Sequence, residues 1–272
     1  MIKRIIPSSG EELPVIGIGT WKSFDVSADQ YPVLKNVLNE LHSGDGRLID
    51  SSPMYGKSEQ VIGDITEGMN AVDDFFYATK VWATGLQEGI KQMEASMAKM
   101  KRKTMDLMQI HNLTDWKTHL PRLRRWKDEG RIRYVGITHY TDFSHNELER
   151  IMKAEKPDFV QFNYSIESRN AENRLLDAAA SLGIATLINR PFGEGKLFSK
   201  VKGKPLPTWA TEHNIESWSA YFLKYIIAHP AVTCVIPATA NPQHEHDNVK
   251  AATGNLPGPE IKKKMVDYLY DL

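Results

Sequence analysis

The chain has 272 residues, with 34 Lys and Arg balancing 34 Asp and Glu, so its formal net charge is zero and no broad cationic face for nucleic acid is implied. Hydrophobic residues make up 41% and charged residues 25%, an ordinary globular balance. The length suits one barrel of roughly 250 residues or two ordinary domains. One cysteine excludes an internal disulfide framework; with no apolar run of signal-peptide or membrane-spanning length, a soluble cytoplasmic protein is expected.

Residues 2–6 and 12–14 flank the turn signal Ser8-Ser-Gly10, so a short β-hairpin is expected first. Val15-Ile-Gly-Ile-Gly-Thr20 reads as a buried strand. A helix follows with Val33, Leu34, Val37, Leu38 and Leu41 on one face, ending near Gly44. Next come the strand Arg47-Leu-Ile-Asp50, a loop carrying Tyr55, and a helix over 58–67 that Ser58 is expected to cap. Strand 75–80 ends at Lys80. Leu86, Ile90, Met93, Met97 and Met100 then recur at helical spacing, a stripe read as core packing. The basic run 99–103 reads as the solvated end of that helix, where cations suit the dipole. Strand 106–111 ends at His111.

The alternation continues with a helix around 118–128, strand 134–138, helix 144–154, strand 159–163, helix 172–182 and strand 184–189. Residues 190–213, rich in Gly, Pro and Lys, have no period and read as a long functional loop. Helix 215–228 turns Trp218, Phe222, Tyr225 and Ile226 towards a core. Strand 233–237 carries Cys234 in an apolar run, which reads as a buried inert thiol, and helices begin near Pro242 and Pro259. Eight strand candidates separated by helices, without a linker between halves, predict a single (β/α)8 TIM barrel over 1–272 with a short N-terminal β-hairpin. A doubly wound dinucleotide fold is disfavoured. Gly17 and Gly19 offer two glycines of its fingerprint, but Lys22 stands at the third position.

In such a barrel the C-terminal ends of the strands open onto one face, where Asp50, Tyr55, Lys80 and His111 converge. Each alone has a bland reading: a turn aspartate, a packed loop aromatic, a surface lysine, a satisfied strand-end histidine. Together they suit proton transfer. A phenol's ordinary pKa near 10 is too high for efficient proton donation at neutral pH. An ammonium about 4 Å away stabilises phenolate by ~4 kcal/mol at an effective dielectric of ~20, so a net lowering of the Tyr55 pKa, reduced by desolvation, is expected. Asp50 can keep Lys80 charged and oriented. Tyr55 can protonate an alkoxide forming on a carbonyl carbon, assisted by His111. Since no side chain supplies hydride, a nicotinamide cofactor is implied.

These residues carry a resemblance to the aldo-keto reductase family that covers nearly the whole chain. Arg47-Leu-Ile-Asp-Ser-Ser-Pro-Met-Tyr-Gly-Lys-Ser-Glu59 resembles the family's first signature, with Asp45 where a glycine is usual. Tyr77-Ala-Thr-Lys80 is similar to its lysine strand, and residues 96–111, ending in His111, to its second signature. The resemblance implies reversible NAD(P)H-dependent reduction of aldehydes or ketones, without metal or flavin, by a tetrad of Asp50, Tyr55, Lys80 and His111.

The resemblance also implies the cofactor positions. Thr20 and Trp21 follow the first barrel strand. Thr138 and His139 stand where the family has Ser-Asn, with Gln161 as the further carboxamide partner. Asn189, followed by Arg190 and Pro191, replaces an aromatic that commonly stacks on nicotinamide. Phe192, Gly193, Gly195 and Lys196 belong to a loop similar to the one approaching the pyrophosphate. Ile236, Ala238, Thr239, His244, Asp247 and Asn248 resemble the adenosine-phosphate segment, with Ala238 and His244 in place of the usual Lys and Arg. Losing two permanent cations weakens discrimination for a 2′-phosphate, so NADPH is expected with NADH as a usable alternative.

Trp21, Asn112 and Trp116 are the expected substrate-pocket residues. The short C-terminal stretch implies an open pocket for varied small carbonyl compounds, and the family suggests a monomer without nucleic-acid or membrane partners. Three other readings remain. A non-catalytic NADP(H)-binding regulatory subunit would keep the same tetrad. A Schiff-base enzyme on Lys80 is opposed by Asp50 as its ion-pair partner. A metal hydrolase lacks ligands, since His244 and His246 do not share a helix face.

Overall fold

The computed structural model describes all residues, 1–272. Strands β1 (Lys3–Ile5) and β2 (Glu12–Pro14) pair antiparallel with Arg4 opposite Leu13, forming the expected hairpin. Eight further strands form one parallel sheet in sequence order: β3 (Ile18–Gly19), β4 (Leu48–Asp50), β5 (Phe76–Val81), β6 (Met105–Ile110), β7 (Ile132–Thr138), β8 (Phe159–Asn163), β9 (Ala185–Asn189) and β10 (Cys234–Val235). Bridges from Ile16 to Val235 and from Gly19 to Ala238 bring the first strand against the last, with Gly17 N donating to Val235 O at 2.9 Å. That closure makes the sheet the (β/α)8 barrel expected from the sequence, and it leaves no barrel edge unpaired.

The core has two parts. A cluster of 60 residues lies between the sheet and the surrounding helices, and a cluster of 12 fills the barrel interior, so most burial comes from helix packing on the outer face. Within the interior, Phe76, Tyr134 and Phe159 meet at ring-centroid distances of 5.4 to 6.0 Å, and Ile6 and Leu13 of the hairpin join them. The hairpin thus seals the N-terminal mouth with apolar side chains and leaves the opposite mouth to polar ones. Cys234 is fully buried in this interior, where burial pushes its thiol well above the ordinary range.

The helices follow the predicted order, among them α1 (Tyr31–Ser43), α2 (Ser58–Glu67), α3 (Leu86–Lys99), α4 (Trp116–Asp128), α5 (His145–Glu155) and α6 (Leu175–Leu182). Met93, Met97 and Met100 of the predicted stripe are buried. Lys101 of the basic run pairs with Asp64 and Glu67, and Arg102 with Asp73, so this run is a solvated, ion-paired terminus.

Three local expectations are corrected. Val33 is 42% exposed, since the buried stripe of α1 is Leu34, Val37, Leu38 and Leu41. Ser58 does not cap α2. It is the first helical residue, and its hydroxyl donates instead to the Tyr55 carbonyl at 2.8 Å, because α2 emerges from a tight turn at Gly56. Residues 190–213 are not structureless: they contain α7 (Lys196–Lys200) and two 3-10 turns, leading to α8 (Trp218–Ile227). Two more helices, α9 (Pro242–Lys250) and α10 (Pro259–Tyr270), complete the chain. No helix is long and apolar enough to cross a membrane.

Candidate active site

The polar mouth of the barrel is organised around one buried ion pair. Lys80, fully buried on β5, donates from Nζ to Asp50 Oδ2 at 2.6 Å and to the Ser51 carbonyl at 2.6 Å. The other carboxylate oxygen, Oδ1, accepts from Gln109 Nε2 at 2.8 Å and from Gln161 Nε2 at 3.1 Å. Strand register produces this convergence, because Asp50 aligns with Ala78 and Lys80 with Gln109 on neighbouring parallel strands. Gly136 of β7 lies opposite Gln109, and a Cβ there would fall 2.8 Å from the Gln109 Cγ; glycine leaves the amide room to reach Asp50. Burial works against the Lys80 charge, but the Asp50 carboxylate and Tyr55 outweigh it and hold the lysine above its ordinary value.

Tyr55 and His111 stand over this pair. The Lys80 ammonium is 5.0 Å from the centroid of the Tyr55 ring, and the Tyr55 and His111 rings meet edge to face with centroids 5.8 Å apart. The expected net lowering of the Tyr55 pKa does not occur. Burial raises it by more than the Lys80 charge lowers it, while Asp50 raises it further, so the phenol stays protonated well past neutrality. His111 follows β6 directly; burial, then the Lys80 charge, pushes its pKa down to about 2, so the imidazole is neutral. Its Nδ1 lies 2.9 Å from the Ser52 hydroxyl.

A cavity of about 1130 Å³ opens above these groups and runs from the β3 and β4 loops to α9. Asp50, Tyr55 and His111 line it, and Lys80 lies beneath. Thr20, Trp21 and Asn112 line it as expected of pocket residues. So do Thr138, Gln161 and Asn189 at the ends of β7, β8 and β9, then Arg190, Pro191, Phe192 and Gly195 of the following loop. Ile236, Ala238, Thr239, His244, Asp247 and Asn248 line the far end. Thr138 and Asn189 both donate to Gln161 Oε1 at 3.3 Å, which links this wall to Asp50 through Gln161.

Four expected residues do not line the cavity. The His139 ring stacks on Tyr140 at 5.2 Å and accepts that residue's backbone N–H at Nδ1, which turns it away. Trp116 opens α4 after left-handed Asn112, Leu113 and Asp115 carry the chain outwards, and its ring faces Arg150 at 5.8 Å. Gly193 and Lys196 flank the contact segment, where Glu194 and Gly195 line the wall instead.

The structure adds residues the sequence reading did not single out. Gln109 is one, and its signal was available: it occupies an inward position of β6, aligned with apolar Leu107, where a polar side chain needs an internal partner. Lys22, beside Trp21, lines the cavity with a left-handed backbone (φ 63°) and no carboxylate partner. Met54, Tyr140, Phe198 and the Ser217-Trp-Ser219 segment complete the wall. Arg190 lies 5.0 Å over the Tyr140 ring and pairs with Glu194.

The description of the Aldo/keto reductase family matches residues 15–264 of the chain. This protein belongs to the aldo/keto reductase family. Among curated relatives, methylglyoxal reductase YeaE of Escherichia coli is 25% identical over 99% of this chain and 96% of its own length. Glyoxal reductase of Bacillus subtilis is 24% identical over 83% and 79% respectively. An aldo/keto reductase of Klebsiella pneumoniae, solved in complex with NADP and acetate, shares the fold with a TM-score of 0.80 at 22% identity over 99% of this chain and 96% of that one. The family member AKR11C1 of Bacillus halodurans, in its holo form, superposes with a TM-score of 0.79 at 20% identity over the same shares.

The donor set fits a dinucleotide. Thr138, Gln161 and Asn189 offer donors and acceptors suited to a carboxamide, and Asn189 Oδ1 has no partner in the protein. Lys22 supplies a cation free of carboxylates for an anionic linkage, and Thr239 and Asn248 supply polar groups for an adenosine end. Neither Lys nor Arg lines that far end, whereas Asp247 does.

Proposed function

We propose that this protein reduces small aldehydes and ketones to alcohols with a nicotinamide dinucleotide, preferentially NADPH, as the reductant. The observation that carries the reading is the buried Lys80–Asp50 pair, 2.6 Å apart, directly beneath the half-buried Tyr55 phenol on the cavity wall. Small dicarbonyl compounds are the first substrates to try, given the names of the two curated reductases of similar length. Thr138, Gln161 and Asn189 would hold the nicotinamide carboxamide, and the dinucleotide, when bound, would supply hydride to the carbonyl carbon.

This chain's residues manage the oxygen. Tyr55 donates the proton that the nascent alkoxide takes up; an alkoxide is far more basic than a phenolate, so even a phenol held above its ordinary value transfers its proton downhill. Lys80 stabilises the phenolate left behind, and Asp50 keeps the ammonium charged and aimed. His111, neutral over the working range, orients the carbonyl without adding a competing charge. Trp21 and Met54 give the mouth an apolar rim, and Asn112 sets its polarity where larger aromatics would narrow it. A monomer working in the cytoplasm is part of the same proposal.

The test is NADPH oxidation with methylglyoxal, glyoxal and a panel of simple aldehydes, comparing wild type with Tyr55→Phe. Loss of a general acid costs on the order of 10² to 10⁴ in rate. The expected result is that loss in kcat, with NADPH affinity by fluorescence titration unchanged. A wild type that binds NADPH but turns over no carbonyl compound would favour a cofactor-binding regulatory role and sink the proposal.

A further inference from the structure

The Ser52 hydroxyl is fully buried two residues beyond Asp50, in the loop that carries Tyr55. It has two polar neighbours. One is the Met54 backbone N–H, a donor, at 3.4 Å; the other is His111 Nδ1 at 2.9 Å. A hydroxyl has one hydrogen to give, and Met54 occupies it only as an acceptor. The only acceptor left for that hydrogen is His111 Nδ1. If Nδ1 instead carried the proton and donated to Ser52, the hydroxyl hydrogen would be buried without a partner, which folded proteins avoid. A neutral imidazole with Nδ1 accepting carries its proton on Nε2, and this second nitrogen makes no hydrogen bond to the protein while His111 lines the cavity beside Tyr55.

We propose that Ser52 is a positioning residue: its hydroxyl locks His111 in the Nε2–H tautomer, so that the imidazole serves as a hydrogen-bond donor to the substrate's carbonyl oxygen. The inference rests on the carbonyl-reducing reading for its consequence, though the tautomer itself does not. Two neutral donors, the Tyr55 hydroxyl and the His111 Nε2–H, then converge on one oxygen. The phenol gives up its proton; the imidazole keeps its own and stabilises the developing negative charge. Without the serine, Nδ1 has no partner to hold the ring's tautomer and orientation, and a fraction of molecules would present a lone pair to the oxygen, which repels it.

The experiment is nitrogen NMR of protein labelled at the histidine rings, with the His111 signals assigned by their absence in His111→Asn, read in wild type, Ser52→Ala and Ser52→Thr. Wild type should show a protonated-type Nε2 and an acceptor-type Nδ1. In Ser52→Ala, Nδ1 should lose its hydrogen-bond shift. The kinetic partner is a fall in kcat of roughly three- to tenfold in Ser52→Ala, larger than any rise in KM, with unaltered NADPH affinity as the fold control and recovery in Ser52→Thr. A protonated Nδ1 in wild type overturns the proposal, as does a Ser52→Ala variant whose spectrum and kcat match wild type. If the spectra behave as expected while no carbonyl compound is reduced by wild type, Ser52's hold on the tautomer stands and carbonyl reduction is what fails.

Discussion

Asp50 and Glu245 are both buried carboxylates, and their surroundings could hardly differ more. Asp50, at the end of β4, meets an ammonium and two amides, so three side chains satisfy its charge. Glu245, fully buried on α9, accepts a single side-chain bond from Asn248 at 3.2 Å, and its Oε1 has no partner. Burial pushes the Glu245 pKa up to about 8, and the Glu40 carboxylate adds to the rise. Burial alone therefore does not decide whether a carboxylate stays ionised; the partner does. At the barrel mouth an ammonium and two amides surround the carboxylate, whereas on the interior face of α9 the carboxylate meets its burial by keeping a proton.

Breaking the Asp50 side of this contrast should have the largest effect. Lys80→Met removes the cation but leaves the carboxylate buried, a change that typically destabilises by 3–5 kcal/mol, or roughly that much here. Chemical denaturation at neutral pH should register the loss, together with abolished carbonyl reduction. If Lys80→Met proves as stable as wild type, the pair is not the anchor of the floor. The double variant Lys80→Met with Asp50→Asn should recover much of the stability and none of the activity.

The Glu245 side can be tested by pH. Its folded pKa lies above the ordinary carboxylate value, so the folded state binds the proton more tightly than the unfolded chain. Its contribution is fully present below about pH 4.5 and is lost as pH rises through about 8. Histidines whose pKa burial lowers, such as His111 and His145, contribute slopes of the opposite sign, so the useful quantity is a difference between proteins. Glu245→Gln should gain stability over wild type as pH rises from about 5 to 8, at up to about 1.4 kcal/mol per pH unit. Parallel stability curves for the two proteins would show that the carboxylate is not held protonated.

A smaller effect is expected from Gln109→Leu. It removes one amide from Asp50 and strips Gln161 of an acceptor, while Lys80 and Gln161 still satisfy the carboxylate. A hydrogen bond to a charged group contributes about 1.5–3 kcal/mol, so denaturation should show a loss near the lower figure. Because Gln161 also receives bonds from Thr138 and Asn189, NADPH affinity should weaken several-fold as well. An unchanged affinity would separate the floor from the cofactor wall.

Legibility in the sequence followed the same divide. Asp50, Tyr55, Lys80 and His111 were readable because each stands at or just beyond a strand end, and the barrel converts strand ends into one mouth. The fold was readable from eight apolar runs alternating with amphipathic helices. The family resemblance aligns positions along the chain but carries no information on where a side chain points, so it implies a cavity role for His139 and Trp116, which a stacked tyrosine and a left-handed turn direct elsewhere. The sign of the Tyr55 shift was missed because the attraction of Lys80 follows from proximity, whereas the opposing desolvation depends on how deeply the finished fold covers the phenol. Ser52 and Gln109 act through contacts 59 residues away in sequence, which no local pattern reports.

The outer face of α9 offers the gentlest test of the contrast. His244 is exposed and lines the cavity one position before buried Glu245, so the two neighbours on one helix face opposite environments. A change of charge at His244 meets water and should leave stability within about 0.5 kcal/mol, unlike any change at Glu245. It should alter cofactor choice instead, since the far end of the cavity has Asp247 and neither Lys nor Arg. His244→Arg adds a permanent fork of donors suited to a phosphate and should raise affinity for NADPH relative to NADH by about tenfold. Titrating both dinucleotides against wild type and variant reads this directly. If the ratio does not move, the 2′-phosphate is held elsewhere, and Lys22 is the next cation to change.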